Sequence, residues 1–223
     1  MTEEEKTIPQ VQNAYDDDSI KSLEWKDAIR RRPGMYIGRL GDGNSYGDGI
    51  YVLLKESVDN SIDEFRAGFG KNILINFTEE SVSVRDYGRG IPLNKVIDVT
   101  SKLHTGAKFD SSVFQKSVGL NGVGLKAVNA LSVSFYVESF REGESFWAEY
   151  SRGDLVDSGK RSGLKEKNGT LVRFTPDPGL FVGYRFKEEI VETFIKNYSY
   201  LNKGLTLTLN GTPICPRTAC WTS

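Results

Sequence analysis

Hydrophobic and polar residues follow two different periods along the chain. Over residues 50–67 and 187–201 the apolar residues recur every three or four positions, which predicts two amphipathic helices. Shorter apolar runs bounded by turn residues predict strands at 72–77, 81–85, 133–140, 145–150, 170–174 and 205–209. Shorter helices are predicted at 95–103 and 125–131, and another, capped by Ser19, is expected to stop before Pro33.

This order of elements predicts an α+β fold. Helices and strands interleave irregularly and several predicted strands are adjacent in sequence, which favours a sandwich over a doubly wound parallel sheet. Residues 1–14 are polar and without pattern, so we expect a flexible arm there. We expect one folded domain over residues 15–212, followed by a tail without pattern at 213–223.

Composition and charge exclude several functional classes. The 29 lysines and arginines nearly balance the 30 acidic residues, so this segment alone is not an electrostatic DNA clamp. A single histidine, His104, rules out a metal site built from several histidines. Two cysteines are too few for a disulfide framework, and neither a signal peptide nor a membrane-spanning apolar run is visible. We therefore expect a soluble, cytoplasmic protein.

Glycine is concentrated in two regions, residues 34–49 and 88–124. Such clusters indicate loops with unusual dihedrals, or backbone that comes close to a ligand. The two common nucleotide motifs are nevertheless absent. Residues 119–124 read G-L-N-G-V-G, which lacks the lysine position of a P-loop and reverses the glycine spacing of a Rossmann fingerprint.

Three segments carry candidate chemistry, and each has a plain structural alternative. Glu56, Asn60 and Asp63 share one polar stripe of the 50–67 helix, which a solvated acidic face would also show. Asp86 begins the sequence D-Y-G-R-G-I-P directly after a predicted strand, as a tight turn would. The loop 119–124 precedes a helix, where backbone N–H groups suit a phosphate, although a flexible connector is equally glycine-rich. In this order the three segments supply the parts of an ATP site.

Six ordered motifs over about residues 15–210 resemble the ATPase domain of the gyrase/Hsp90/histidine-kinase/MutL superfamily. They resemble most closely the B subunits of bacterial type IIA topoisomerases, gyrase B and topoisomerase IV B. The motifs are R-R-R-P-G-M-Y-I-G at 30–38, E-S-V-D-N-S-I-D-E at 56–64, D-Y-G-R-G-I-P at 86–92, L-H-T-G-A-K-F at 103–109, V-G-L-N-G-V-G-L-K-A-V-N-A-L-S at 118–132 and N-G-T-L-V-R-F at 168–174. The resemblance implies a Bergerat-type ATP-binding fold, a two-layer sandwich of a mixed, mostly antiparallel sheet with helices on one face.

The resemblance also implies a role for individual residues in binding ATP and Mg²⁺. Glu56 matches the general base, Asn60 the Mg²⁺ ligand, and Asp86 the acceptor for the adenine amino group, while Thr170 helps to read the base. Arg89 is expected to pair with Glu64 as a pocket wall. The nucleotide-binding residues that the resemblance implies are Asn60, Asp63, Asp86, Arg89, Gly90, Ile91, Pro92, Lys108, Gly119, Leu120, Asn121, Gly122, Val123, Gly124 and Thr170. Val84 and Val172 would line the adenine pocket with Ile91 and Pro92, but a plain core role fits these four equally well.

Three positions depart from the family pattern. Tyr87 stands where many relatives carry a second acidic residue, which leaves Asp86 available but changes the pocket floor. Asn121 replaces a histidine common in the glycine loop, and Phe114 replaces a tyrosine near the phosphates. The text V-G-L-N-G-V-G-L-K slightly favours topoisomerase IV B over gyrase B.

The implied whole enzyme is an ATP-dependent DNA topoisomerase. Tyr15 and Ile20 match an arm that joins two copies when ATP binds, although a disordered tail is the alternative at these positions. The implied partners are a second copy, the topoisomerase A subunit and DNA, with no membrane. The family's transducer domain and its lysine lie outside these residues, so we expect weak hydrolysis from this chain alone. A MutL- or Hsp90-like clamp is the alternative function, and a nucleotide-binding module without catalysis would not need Glu56.

Overall fold

The computed structural model describes residues 24–102 and 123–214. The helices in these ranges are α1 (Trp25–Arg31), α2 (Gly34–Ile37), α3 (Gly49–Arg66), α4 (Val96–Ser101), α5 (Gly124–Ala130) and α6 (Glu188–Leu201), with a 3-10 turn at Leu93–Lys95 before α4. The strands are β1 (Asn72–Phe77), β2 (Val82–Asp86), β3 (Ser132–Arg141), β4 (Glu144–Ser151), β5 (Asp154–Ser162), β6 (Gly169–Pro176), β7 (Thr206–Leu209) and β8 (Thr212–Ile214). None of these helices is long and apolar enough to cross a membrane.

The eight strands form one sheet in the order β5-β4-β3-β6-β2-β1-β7-β8. All neighbouring pairs are antiparallel except β1 and β7, which are parallel. The predicted α+β fold with a mixed, mostly antiparallel sheet is therefore confirmed. The strands β2, β6 and β3 lie side by side at the centre, so the ends of β2 and β6 that carry Asp86 and Thr170 are close together.

The core lies between one face of the sheet and the helices. Alternate strand residues such as Ile75, Val84 and Val137 are fully or almost fully buried there. Helix α3 contributes its apolar stripe, including Leu54 and Val58, to the same core. Because α3 crosses beneath the sheet in this way, its polar stripe is left beside the end of β2 and the start of α5.

The predicted elements agree with the structure to within a few residues, with some differences. The helix containing Ile29 has Glu24 as its N-cap residue, so the prediction that Ser19 caps it is wrong. The short helix α2 falls in the stretch predicted as a glycine-rich loop. Strand β5 was not predicted, because its sequence D-L-V-D-S-G-K-R-S is exposed on both faces and shows no alternation. Strand β8, at Thr212–Ile214, begins at the residue expected to end the domain.

Candidate functional site

The polar stripe of α3 lies in a half-buried position. Glu56, Asn60 and Asp63 are neither buried nor fully exposed, whereas Val58 and Ile62 on the opposite side are buried in the core. A plain solvated face would leave the three polar residues open to water. The stripe instead borders two backbone segments, the beginning of α5 and the turn after β2.

Glu56 reaches the first residue of α5. A side chain at Gly124 would overlap the Glu56 carboxylate, so glycine is what lets this carboxylate approach the beginning of the helix. Burial raises the pKa of Glu56; the nearby Lys55 lowers it and Asp59 raises it by smaller amounts. A carboxylate with a raised pKa is a stronger base than a free glutamate, as a group that accepts a proton from water requires.

Asp86 ends strand β2 with its side chain on the helical side of the sheet, 2 % exposed. Its Oδ1 accepts hydrogen bonds from the backbone N–H of Gly88 at 2.9 Å and of Thr170 at 3.2 Å. Its Oδ2 accepts from the hydroxyl of Ser61 on α3 at 3.3 Å. Burial raises the pKa of Asp86 to about 6, while the two backbone donors oppose that rise. At neutral pH the group is therefore a charged acceptor, and Oδ2 holds only one long hydrogen bond.

Glycine residues allow three chain segments to converge around Asp86. A side chain at Gly90 would lie 2.7 Å from the carbonyl oxygen of Phe140 and 2.8 Å from the Ser139 hydroxyl. Gly169, with φ of +134°, packs directly against the carbonyl of Asp86 and leaves no space for a Cβ. The ends of β2, β3 and β6 thus meet at one corner of the site.

Glu64, one helical turn after Asn60 on α3, holds the loop that follows β2 in place. It accepts hydrogen bonds from Nη2 of Arg89 at 2.9 Å, from Nε at 3.1 Å and from the backbone N–H of Arg89 at 2.9 Å. Burial raises the pKa of Glu64, but the bonds from Arg89 outweigh it, so that the pKa lies below its usual value. The predicted pairing of Arg89 with Glu64 is present, and the Arg89 guanidinium also stacks on Phe69.

The family model for histidine kinase-, DNA gyrase B- and HSP90-like ATPases matches residues 46–179. This match covers more than half of the chain and includes α3, Asp86 and Thr170. The chain belongs to this ATPase family.

Curated relatives and a solved structure show which members of the ATPase family the chain is similar to. The chain is 51% identical to the B subunit of DNA topoisomerase 4 from Borreliella burgdorferi over 88% of its own length and 33% of that protein. It is 40% identical to the B subunit of DNA gyrase from Enterococcus faecalis over 87% of this chain and 31% of that one. The 43K ATPase domain of Thermus thermophilus gyrase B, solved with an aminocoumarin, matches with a TM-score of 0.69 and 31% identity, covering 87% of this chain and 51% of that one. The chain spans about a third of the length of the curated relatives it matches.

Several predicted residues of the ATPase site fall within the described part of the chain. The structure brings Glu56 beside Gly124, and Asp86 beside Thr170. Ile91, Pro92 and Val123 are half-buried, while Val84 and Val172 are buried register partners in the core, so the core role suffices for these two. Five predicted nucleotide-binding residues and the two arm residues lie outside the described residues; they are Lys108, Gly119, Leu120, Asn121 and Gly122, and Tyr15 and Ile20.

Two residues of the site were missed by sequence reasoning. Ser61 donates to Asp86, and Ser139 donates through its hydroxyl to the carbonyl oxygen of Ile91 at 2.6 Å. A serine inside a helix or a strand gives no signal of its own. Ser61 follows Asn60 directly and lies within the same motif, which is the only hint that the sequence offered.

Proposed function

We propose that this chain is the ATP-binding and ATP-hydrolysing part of a type II DNA topoisomerase B subunit. The observation that carries the proposal is that helix α3 holds the proposed general base, Glu56, and also contacts Asp86, the carboxylate proposed to bind the adenine amino group. Glu56 meets the start of α5 from this helix, and Ser61 of the same helix touches Asp86. The high similarity to a topoisomerase 4 B subunit favours this function over a MutL- or Hsp90-like clamp, and topoisomerase IV over gyrase.

Asp86 accounts for adenine recognition in this proposal. The exocyclic amino group of adenine donates a hydrogen bond, and the Oδ2 of Asp86 accepts it while Oδ1 is held by two backbone N–H groups. Guanine carries a carbonyl at that position, and a carbonyl facing a buried carboxylate would be repelled. The Thr170 hydroxyl, on the neighbouring strand, assists in reading the base.

Glu56 accounts for hydrolysis. Its carboxylate lies at the start of α5, the helix that follows the phosphate-binding glycine loop in this proposal, and burial makes it a stronger base. It orients and deprotonates the water that attacks the γ-phosphate. Asn60 is one helical turn from Glu56 on the same face, and its amide oxygen suits Mg²⁺, which neutralises phosphate charge when bound.

The remaining nucleotide contacts in this proposal surround that centre. Asp63 extends the polar stripe, Arg89 and Gly90 form the pocket wall with Ile91 and Pro92, and Val123 and Gly124 enter the phosphate-binding helix. In the whole protein, ATP binding joins two copies through the arm that includes Tyr15 and Ile20, and the closed dimer gates passage of a DNA segment together with the A subunit. Such an enzyme works on DNA in the cytoplasm.

Titration calorimetry of the chain tests the binding step. We expect a non-hydrolysable ATP analogue to bind, more tightly with Mg²⁺ than without it, and a matched GTP analogue to bind far more weakly. Equal affinity for the two nucleotides would contradict the role given to Asp86.

Turnover by the full-length protein tests the role of Glu56. Glu56→Gln should reduce ATP hydrolysis about 100-fold or more, because the amide cannot accept a proton, while ATP affinity stays within about three-fold. In the wild type, turnover should fall as the pH drops through the raised pKa of Glu56, because only the charged carboxylate is a base. The matched control is Glu192→Gln, a surface change on α6 that should leave turnover unaltered. Wild-type turnover in Glu56→Gln would mean that another residue is the base.

A further inference from the structure

A buried arginine lies directly behind Asp86. Arg85 is only 9 % exposed, and strand alternation places its side chain on the face of the sheet opposite to that of Asp86. It is therefore outside the pocket in which the proposed function places the nucleotide. A charged side chain is costly to bury unless other groups compensate its charge and accept its hydrogen bonds, so the contacts of Arg85 show what stabilises it there.

Aromatic rings cover the Arg85 guanidinium. Its central carbon is 4.6 Å from the centre of the Tyr87 ring and 4.5 Å from that of Phe140, both within the range of a cation–π contact. Tyr87 is the residue that departs from the family pattern in the D-Y-G-R-G-I-P motif. Its ring packs on the arginine behind the carboxylate and not at the pocket floor, where the family pattern led us to expect it.

The polar atoms of the guanidinium bind two carbonyl groups. Nη1 donates to the backbone oxygen of Asp86, and Nη2 donates to the backbone oxygen of Lys167 at 2.6 Å. These two carbonyls belong to the end of β2 and to the segment that leads into β6. The guanidinium thus links the two chain segments that carry Asp86 and Thr170.

Gly169 shows how closely the two segments approach. A Cβ at this position would overlap both the carbonyl of Asp86 and Nη1 of Arg85. The next residue, Thr170, donates its backbone N–H to Oδ1 of Asp86. A shift of the guanidinium would therefore move the main chain on both sides of that hydrogen bond.

We propose that Arg85 is a positioning residue for base recognition, which sets the spacing between the Asp86 carboxylate and the Thr170 hydroxyl without touching the nucleotide. Tyr87 and Phe140 hold its guanidinium in place. The inference rests on the proposed function, in which these two groups read adenine. It predicts that loss of Arg85 or of the Tyr87 ring loosens discrimination between adenine and guanine.

Titration calorimetry with non-hydrolysable ATP and GTP analogues tests this role. Arg85→Met keeps a long, unbranched side chain but removes the donors and the charge, and we expect affinity for the ATP analogue to fall about ten-fold. Affinity for the GTP analogue should change much less, so that the ratio of the two shrinks. The control is Arg173→Met, since Arg173 stacks on Tyr136 at 4.4 Å on the same sheet face, is exposed, and should not affect either affinity.

A pair of changes at Tyr87 tests the stacking contact with a smaller perturbation. Tyr87→Leu should weaken binding of the ATP analogue about three-fold or more and shrink the ratio of its affinity to that of the GTP analogue, and Tyr87→Phe, which keeps the ring, should restore both wild-type values. This pair also decides the matter if Arg85→Met does not fold.

The outcomes separate this inference from the proposed function. Failure of the wild-type chain to select the ATP analogue would overturn both. Selective wild-type binding with an unchanged selectivity ratio in folded Arg85→Met, or equal binding by Tyr87→Leu and Tyr87→Phe, would overturn the positioning role alone. A purely structural role would lower the thermal midpoint and weaken both analogues by the same factor, which would also contradict the proposal.

Discussion

Replacing Asp86 with asparagine should make the domain more stable while it weakens binding of adenine nucleotides. The reason is that the carboxylate is charged and buried at neutral pH. Its pKa of about 6 lies roughly two pH units above the ordinary value of 3.8, which at 1.36 kcal/mol per unit is a cost to the folded state of about 3 kcal/mol. This cost is absent well below pH 3.8, where the group is protonated in both states; it grows between about pH 4 and about pH 6, where the unfolded chain alone is ionised, and is complete above that range.

Asparagine can keep the hydrogen bonds of Asp86 without the charge. Its Oδ1 can accept from the backbone N–H groups of Gly88 and Thr170 as the carboxylate does, and its amide nitrogen can donate to the Ser61 hydroxyl. We therefore expect Asp86→Asn to raise the free energy of unfolding by up to about 3 kcal/mol near pH 8 and by almost nothing near pH 4. The amide nitrogen would face the adenine amino group, and because both are donors they cannot form a hydrogen bond. Binding of adenine nucleotides should therefore weaken by about 1–3 kcal/mol.

Urea unfolding at the two pH values, together with titration calorimetry near pH 8, measures both effects. The matched control is Asp98→Asn, which removes surface ion pairs with Lys95 and Lys102 and has no buried charge to relieve, so it should not gain stability. A stability gain of the same size at both pH values would refute the electrostatic reasoning. Unchanged affinity for the ATP analogue would refute the assignment of Asp86 to adenine.

Two glycine substitutions test the close approaches within the site. Gly124→Ala should leave the unfolding free energy unchanged or slightly higher, because alanine favours a helix. It should nevertheless reduce ATP turnover of the full-length protein about ten-fold or more, because its Cβ displaces Glu56. A turnover assay and a thermal melt measure the two effects. Gly169→Ala should lower the unfolding free energy by about 2–4 kcal/mol in urea, because its Cβ would overlap the Asp86 carbonyl at a positive φ, whereas Gly34→Ala, which has open space, should change little. A destabilised Gly124→Ala variant with normal turnover, or a Gly169→Ala variant with wild-type stability, would contradict the close contacts inferred at these two glycines.

The sequence predicts most elements of the fold because most of them bury one face. Helix α3 and helix α6 show a helical period, and the central strands carry apolar residues at alternate positions, so their location follows from burial alone. Strand β5 has no such pattern, because it forms through backbone pairing with β4 at the edge of the sheet. Strand β5 depends on pairing with β4, and the strand propensities of its own residues do not indicate that pairing.

The site was predictable only in part, for a related reason. The residue types at positions 56, 60, 86 and 170 point to nucleotide chemistry once their order is recognised, but their meeting depends on tertiary contacts. The approach of Glu56 to Gly124 and the hydrogen bond from Ser61 to Asp86 join residues 68 and 25 positions apart. Arg85 gives no signal in the sequence because a strand arginine ordinarily faces solvent, and only the rings of Tyr87 and Phe140 show that this one is enclosed.

The surroundings of Asp86 balance the two opposing needs of the role that we propose for it, a carboxylate that binds the adenine amino group. Burial removes competing water and strengthens a hydrogen bond to the adenine amino group, but burial alone would protonate the group and abolish it as a charged acceptor. The N–H groups of Gly88 and Thr170 offset that tendency, and Arg85 adds a favourable charge from behind, so that the pKa stays at about 6. The carboxylate thus remains ionised at neutral pH in a nearly dry position. The cost of this arrangement falls on the stability of the free domain, and a bound adenine would recover part of it by donating a second hydrogen bond to Oδ2, which accepts only the long one from Ser61.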